Sequence, residues 1–123
     1  MTATLSDGVL DAALNVIKNS GSKLHICSSQ PTTYTQASST YQLGYKSSPS
    51  YTGPADHTSG RKLTVAAITD GTVSASGTAA YFAITNGSDT LYATQALNAS
   101  QSVTSGNTFT LTEFIIAIPD PTA

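Results

Sequence analysis

Thr78-Ala-Ala-Tyr-Phe-Ala-Ile-Thr85, then Asn86-Gly87, then Thr90-Leu-Tyr-Ala-Thr-Gln-Ala-Leu97 is the stretch that decides the fold. Ala80, Phe82 and Ile84 fall on one side of an extended chain and Ala79, Tyr81 and Ala83 on the other, the period of a strand. Asn-Gly between two such runs signals a hairpin, because both residues accept the positive φ that a tight turn needs. The pattern continues outward in both directions. Upstream, Leu63 to Ile68 reads as a strand, and Asp70-Gly71 reads as a second hairpin turn with Val73 and Ala75 on the return. Downstream, Asn98 to Asn107 is a polar connection and Thr108 to Ile118 the last strand, stopped by Pro119-Asp-Pro121. Phe109 and Leu111 are out of phase with Phe114, Ile116 and Ile118, so a bulge near Thr112 is expected to restore one inward face. Residues 61–118 therefore read as antiparallel sheet.

The N-terminal part obeys other rules. Residues 6–20 have Val9, Leu10, Ala13, Leu14 and Ile17 at the spacing of one helical face. Ser6 suits the N-cap, Asp7 the first turn and Lys18 the last, and Leu5 and Leu10 stand where a hydrophobic staple would. Gly21 stands where a left-handed C-terminal residue is expected. Lys23 to Ser28 then alternates as a short strand. Residues 29–60 form a long segment rich in Ser, Thr, Pro and Tyr, with one helical turn expected at Pro31 to Ala37 and a short strand at Tyr41 to Lys46. No longer repeat recurs, which excludes a solenoid or propeller. The expectation is one domain over residues 1–123, mostly β (α+β). Its N-terminal helix packs on an antiparallel sandwich or barrel-like sheet of about six or seven strands.

Composition narrows the occupations open to such a domain. The 123 residues include 17 Ser and 20 Thr but only 12 charged side chains, five basic and seven acidic. A net charge of -2 does not suit neutralising nucleic-acid phosphates, so no nucleic-acid partner is expected. No apolar run reaches the ~18 residues that cross a bilayer, so no membrane partner is expected either. Low net charge and a 39% hydrophobic share argue against disorder. The single Cys27 excludes an internal disulfide. Met1 to Ser6 has no Lys or Arg and no apolar run comes after it, so synthesis in a cytoplasm with Cys27 reduced is expected. An uncharged hydroxyl-rich surface packs against another protein with little charge to desolvate, which favours a lasting assembly.

No constellation of residues spells out a reaction. His25 and Cys27 share a strand face, yet a closed zinc site needs four ligands and neither CxxC nor HxxxH occurs. Asp56-His-Thr-Ser-Gly60 holds Asp, His and Ser in a row, whereas a catalytic relay converges from separate segments. That stretch reads as a turn, with Asp56 pairing locally to Arg61 or Lys62. Asp7 and Asp11 read as a solvated helix face, and Glu113, the only glutamate, as an outward residue. No catalytic residue, no metal site and no cofactor are expected, and the chain is not expected to be an enzyme. The residues singled out are Tyr34, Tyr41, Tyr45 and Tyr51 of the long segment. Tyrosines among Ser and Thr make adaptable contacts at low entropic cost, as partner-contact residues do.

Three longer phrases carry a resemblance. Leu5-Ser-Asp-Gly-Val-Leu-Asp-Ala-Ala-Leu-Asn15 opens the helix, and Leu24-His-Ile-Cys-Ser-Ser-Gln-Pro-Thr-Thr-Tyr-Thr-Gln-Ala37 spans the first strand and the start of the long segment. With Thr58-Ser-Gly-Arg-Lys-Leu-Thr-Val-Ala66 and the closing Pro119-Asp-Pro121, the chain resembles small virion structural proteins of tailed bacteriophages, those described as decoration or cement proteins. The resemblance implies a non-enzymatic protein of the virion, made in the bacterial host cytoplasm. It would bind the major capsid protein of an assembled head as a homo-oligomer, trimer or dimer. It equally admits a tail, neck or head-fibre component. A carbohydrate-binding β module, with Tyr34, Tyr45 and Tyr51 stacking on sugars, is the alternative from another class.

Overall fold

The computed structural model describes residues 6–57 and 60–118. In chain order they form α1 (Asp7–Ser20), β1 (Lys23–Cys27), one π-helical turn (Gln36–Thr40), β2 (Gln42–Ser47) and β3 (Tyr51–Asp56). The chain continues through β4 (Arg61–Val65), β5 (Ile68–Val73), β6 (Gly77–Thr85), β7 (Leu91–Val103), β8 (Thr108–Leu111) and β9 (Phe114–Ile118). Every strand pairing is antiparallel. The strands lie in an open six-stranded sheet, ordered β7-β6-β1-β2-β5-β8, and a three-stranded sheet, β3-β4-β9. The fold is mostly β with one N-terminal helix, as the periodicity predicts.

The main core comes from the period-2 faces. Leu24 and Ile26 of β1, Phe82 and Ile84 of β6 and Phe109 of β8 are buried with Val65 of the smaller sheet. Phe114 packs against them from β9, its ring centroid 4.3 Å from that of Phe82. The helix lies against β3 and β4. Ser6 caps it by accepting the Val9 N–H at 3.3 Å. Leu10 and Leu14 are buried, but Val9 and Ala13 of the expected inward face are exposed, so the buried stripe is narrower than the sequence suggests. The staple through Leu5 lies outside the described residues.

Three expectations about turns need correction. Gly21 closes the helix with φ -75°, not left-handed. Its glycine is required by crowding, since a Cβ there would stand 2.8 Å from both Ile84 Cγ2 and the Tyr51 hydroxyl. Asp70-Gly71 is not a hairpin turn but lies inside β5, and Val73 ends that strand instead of starting a return. A Cβ at Gly71 would collide with the Phe109 ring of β8. The glycine is there for close approach between strands. Leu63 to Ile68 is likewise not one strand: β4 ends at Val65, and β5 begins at Ile68 in the other sheet.

The C-terminal half departs in the same way. Thr108 to Ile118 breaks at Thr112-Glu113, where the expected bulge is a passage from the six-stranded to the three-stranded sheet. Crossing between sheets allows Phe109, Leu111, Phe114 and Ile116 all to face one core. The polar stretch from Asn98 continues β7 as far as Val103. The Asn86-Gly87 turn forms as expected, with Gly87 at φ +78° and the Asn86 side chain accepting N–H bonds from Ser88, Asp89 and Thr90. The expected stop at Pro119 lies outside the described residues.

Candidate functional site

The long segment is folded throughout its described part. It supplies β2 and β3, and its first third crosses one face of the large sheet. Cys27, Ala37 and Ala83 are buried there in a small cluster of their own, with Tyr41, Tyr81 and Leu91 packed around them. Tyr45 stands opposite His25 in the β1–β2 register, with the Lys23 ammonium 4.4 Å from its ring centre. Tyr34, at the entry to the π-helical turn, is half-buried. Tyr51 is different. It packs against the main core from β3 and donates its hydroxyl to Gly21 O at 2.7 Å, and burial raises its pKa. The geometry gathers Tyr41 and Tyr45 on the side of the sheet that carries His25 and Cys27 and sets Tyr51 apart, pinning the end of the helix.

His25 and Cys27 share their strand face as the alternation predicts, and both are buried. His25 is fully paired. Its Nδ1–H donates to Gln42 Oε1 at 2.6 Å, and the Thr85 hydroxyl donates to Nε2 at 2.9 Å while accepting the Gly87 N–H at 3.1 Å. This network needs a neutral ring, and burial lowers the His25 pKa to match. Burial pushes the Cys27 thiol up to about 12, which leaves it protonated and a poor nucleophile at neutral pH.

The acidic residues hold the fold together. Asp56 pairs with Arg61 as expected, and the His57 N–H donates to Gly60 O at 3.2 Å across a turn whose Thr58 and Ser59 lie outside the described residues. Asp11 is not the solvated residue its spacing suggests. It receives Arg61 Nε at 2.7 Å and a second guanidinium N–H at 3.2 Å, tying α1 to β4. Asp11 and Asp56 together hold Arg61 charged. Glu113 is exposed in the passage between sheets. Among the described residues, no three His, Cys, Asp or Glu side chains come together.

A further feature lies at the seam between the two outer strands of the large sheet. There β7 and β8–β9 enclose a cleft of about 280 Å³. Phe82 and Phe114 form its floor, with Leu97 and Leu111 beside them and Gln95, Gln101 and Thr112 among its polar walls. None of its ten lining residues is charged. One hydrogen bond crosses the seam, from Gln101 Nε2 to Thr110 O at 3.0 Å. Register explains the opening. Ala96 pairs with Tyr81 and Gln101 with Ala79, so residues 97–100 of β7 bow out opposite Ala80 alone. The cleft escapes sequence reasoning because its walls lie in segments that read as a polar connection and a bulge. A signal was present: residues 91–103 contain neither charge nor proline.

Comparison with protein-family models, with curated proteins and with solved structures finds no significant match to this chain.

Proposed function

We propose that this chain is a structural protein of a tailed-bacteriophage virion, acting as a capsid decoration (cement) protein. The observation that carries this reading is β7, thirteen residues at the edge of the large sheet without a charge or a proline. Soluble monomers blunt such edges with lysine, proline or brevity, because unpaired strand N–H and C=O groups invite another chain. The other edges here are blunted: β3 holds Pro54 and ends at Asp56, β8 has four residues, and β9 has five. An edge left open suits a protein that spends its working life in an assembly.

The proposed mechanism is mechanical. Copies bound to the major capsid protein bridge neighbouring subunits and so stabilise the assembled head over released subunits. Repetition over the shell multiplies modest contacts into avidity. Association as a trimer or dimer would match the capsid symmetry axes. Tyr34, Tyr41 and Tyr45 are the proposed aromatic contacts, with Tyr51 supporting the fold instead. No catalysis is assigned.

Gel quantification of intact virions, read with negative-stain images, tests the proposal. Hundreds of copies per particle support a cement protein. A dozen or fewer would move it to the tail, neck or head fibre, and absence from the particle would overturn both. Binding to a glycan array by the isolated protein would favour the carbohydrate-binding reading instead.

A further inference from the structure

The seam cleft has two strand edges for walls, and that decides what fits it. In the large sheet β7 pairs only with β6, and β8 only with β5. The backbone groups on their outer sides have no strand partner. The sole bridge among the described residues is the Gln101 side chain donating to Thr110 O. A glutamine side chain plus one hydrogen bond reaches on the order of 8 Å from Cα to acceptor. A strand inserted between two others stands about 4.8 Å from each, so the bridged space is one strand wide. The Gln101 amide occupies the place where a peptide group of that strand would donate.

The chemistry of the lining selects the occupant. Phe82 and Phe114 beneath, with Leu97 and Leu111 beside them, offer apolar contact to side chains on one face of an inserted strand. With no charge among the lining residues, a buried Lys, Arg, Asp or Glu of the guest would find no counter-ion and would retain its desolvation cost. An extended backbone meets hydrogen-bonding groups on both sides, which a compact small molecule does not use. We infer that the β7–β8 seam receives an uncharged, extended segment of a partner protein, with alternating apolar side chains, as a seventh strand of the large sheet. This rests on the proposed role in an assembly and names how the partner is held. The exchange is simple: Gln101 releases Thr110 O, and the guest backbone takes its place between the two edges.

The probe is a fluorescein-labelled, N-acetylated and C-amidated peptide, Gly-Thr-Leu-Thr-Val-Thr-Gly, which alternates as the seam requires. It is titrated into the full chain with anisotropy and hydrogen–deuterium exchange as readouts. Two variants, Ala99→Lys and Thr112→Lys, place a charge on opposite walls at exposed positions. Circular dichroism and melting check that each still folds. The expected result is saturable binding with slowed exchange in residues 95–101 and 108–111. Each variant should weaken it at least about tenfold, the effect of one unpaired charge in a closing groove. No saturable binding overturns the inference, as does binding that both folded variants retain. Seam protection in the peptide-free protein that disappears on dilution would identify a second copy as the occupant and overturn it too. Glycan binding lost in Ala99→Lys, without peptide binding, would make the seam a small-ligand site and overturn it likewise. Particle binding separates the two proposals. Heads that bind wild type and Ala99→Lys equally defeat the seam and leave the cement reading intact, whereas peptide binding without head binding does the reverse.

Discussion

At the corner where α1 meets β3 and β4, polar and apolar contacts close on one another. Arg61 of β4 grips Asp11 of the helix, Lys18 Nζ donates to Gly53 O at 2.8 Å, Tyr51 holds Gly21, and Leu14 and Leu63 are wholly buried. At the seam between β7 and β8, one glutamine side chain spans two unpaired edges above a pair of phenylalanines. The difference lies in what each region does with charge. The corner holds several of the chain's few charges and pairs them within the fold, whereas the seam has none to pair or to repel a guest. Stability therefore concentrates at the corner, and recognition is available at the seam.

The sharpest way to break this comparison is to excavate both regions. Leu63→Ala should cost about 2–5 kcal/mol in urea unfolding, the range for a fully buried leucine. Leu97→Ala, half-buried at the cleft, should cost below about 1.5 kcal/mol because little apolar area is lost from contact. Equal costs would mean that the seam is as much a part of the packed core as the corner.

A second difference is sensitivity to acid. His25 lies in the closed interior of the large sheet, neutral and bonded at both nitrogens. Its folded pKa is lowered from 6.5, so below that pH the unfolded chain takes up a proton that the folded chain resists. Stability from this group is full above about 6.5 and falls as pH drops toward the folded pKa, by at most about 1.4 kcal/mol per pH unit. Urea midpoints at pH 7.5 and 5.5 should show the loss, and His25→Gln should flatten it. An unchanged slope in the variant would assign the acid sensitivity elsewhere.

Smaller effects sharpen the contrast. Arg61→Met should lower the melting temperature by less than Leu63→Ala does, because the Asp11 carboxylate it abandons is already part-exposed. Adding Asp11→Asn should recover part of that loss, and additive losses would argue that the two side chains act independently. Gln101→Ala should change stability by no more than about 0.5 kcal/mol, as befits one bond at an open edge. A larger loss would make the bridge a structural closure rather than a placeholder.

The legible parts of this fold were those whose pattern is local. The Ser6 cap, the Leu10–Leu14 stripe, the alternation of Leu24 and Ile26, and the Asn86-Gly87 turn depend on neighbours in sequence, and all form as read. Gly71 misled because a glycine that makes room for Phe109 looks, in sequence, the same as one that makes a turn. Thr112 misled because a change of strand phase fits either a bulge or a passage between sheets, and only the partner strands decide. Tyr51 had the same composition around it as Tyr41 and Tyr45, but its register opposite Val65 turns it into the core. The seam was the least legible feature, since it depends on which strands are left without partners, a property of topology rather than of any segment.

Hydrogen–deuterium exchange of the full chain, free and bound to purified heads, tests the central claim most directly. The account predicts fast exchange in residues 95–101 of the free protein and strong slowing there and in 108–111 on binding, with β1 slow in both states. Slowing confined to residues 31–47 around Tyr34, Tyr41 and Tyr45, with the seam unchanged, would contradict it.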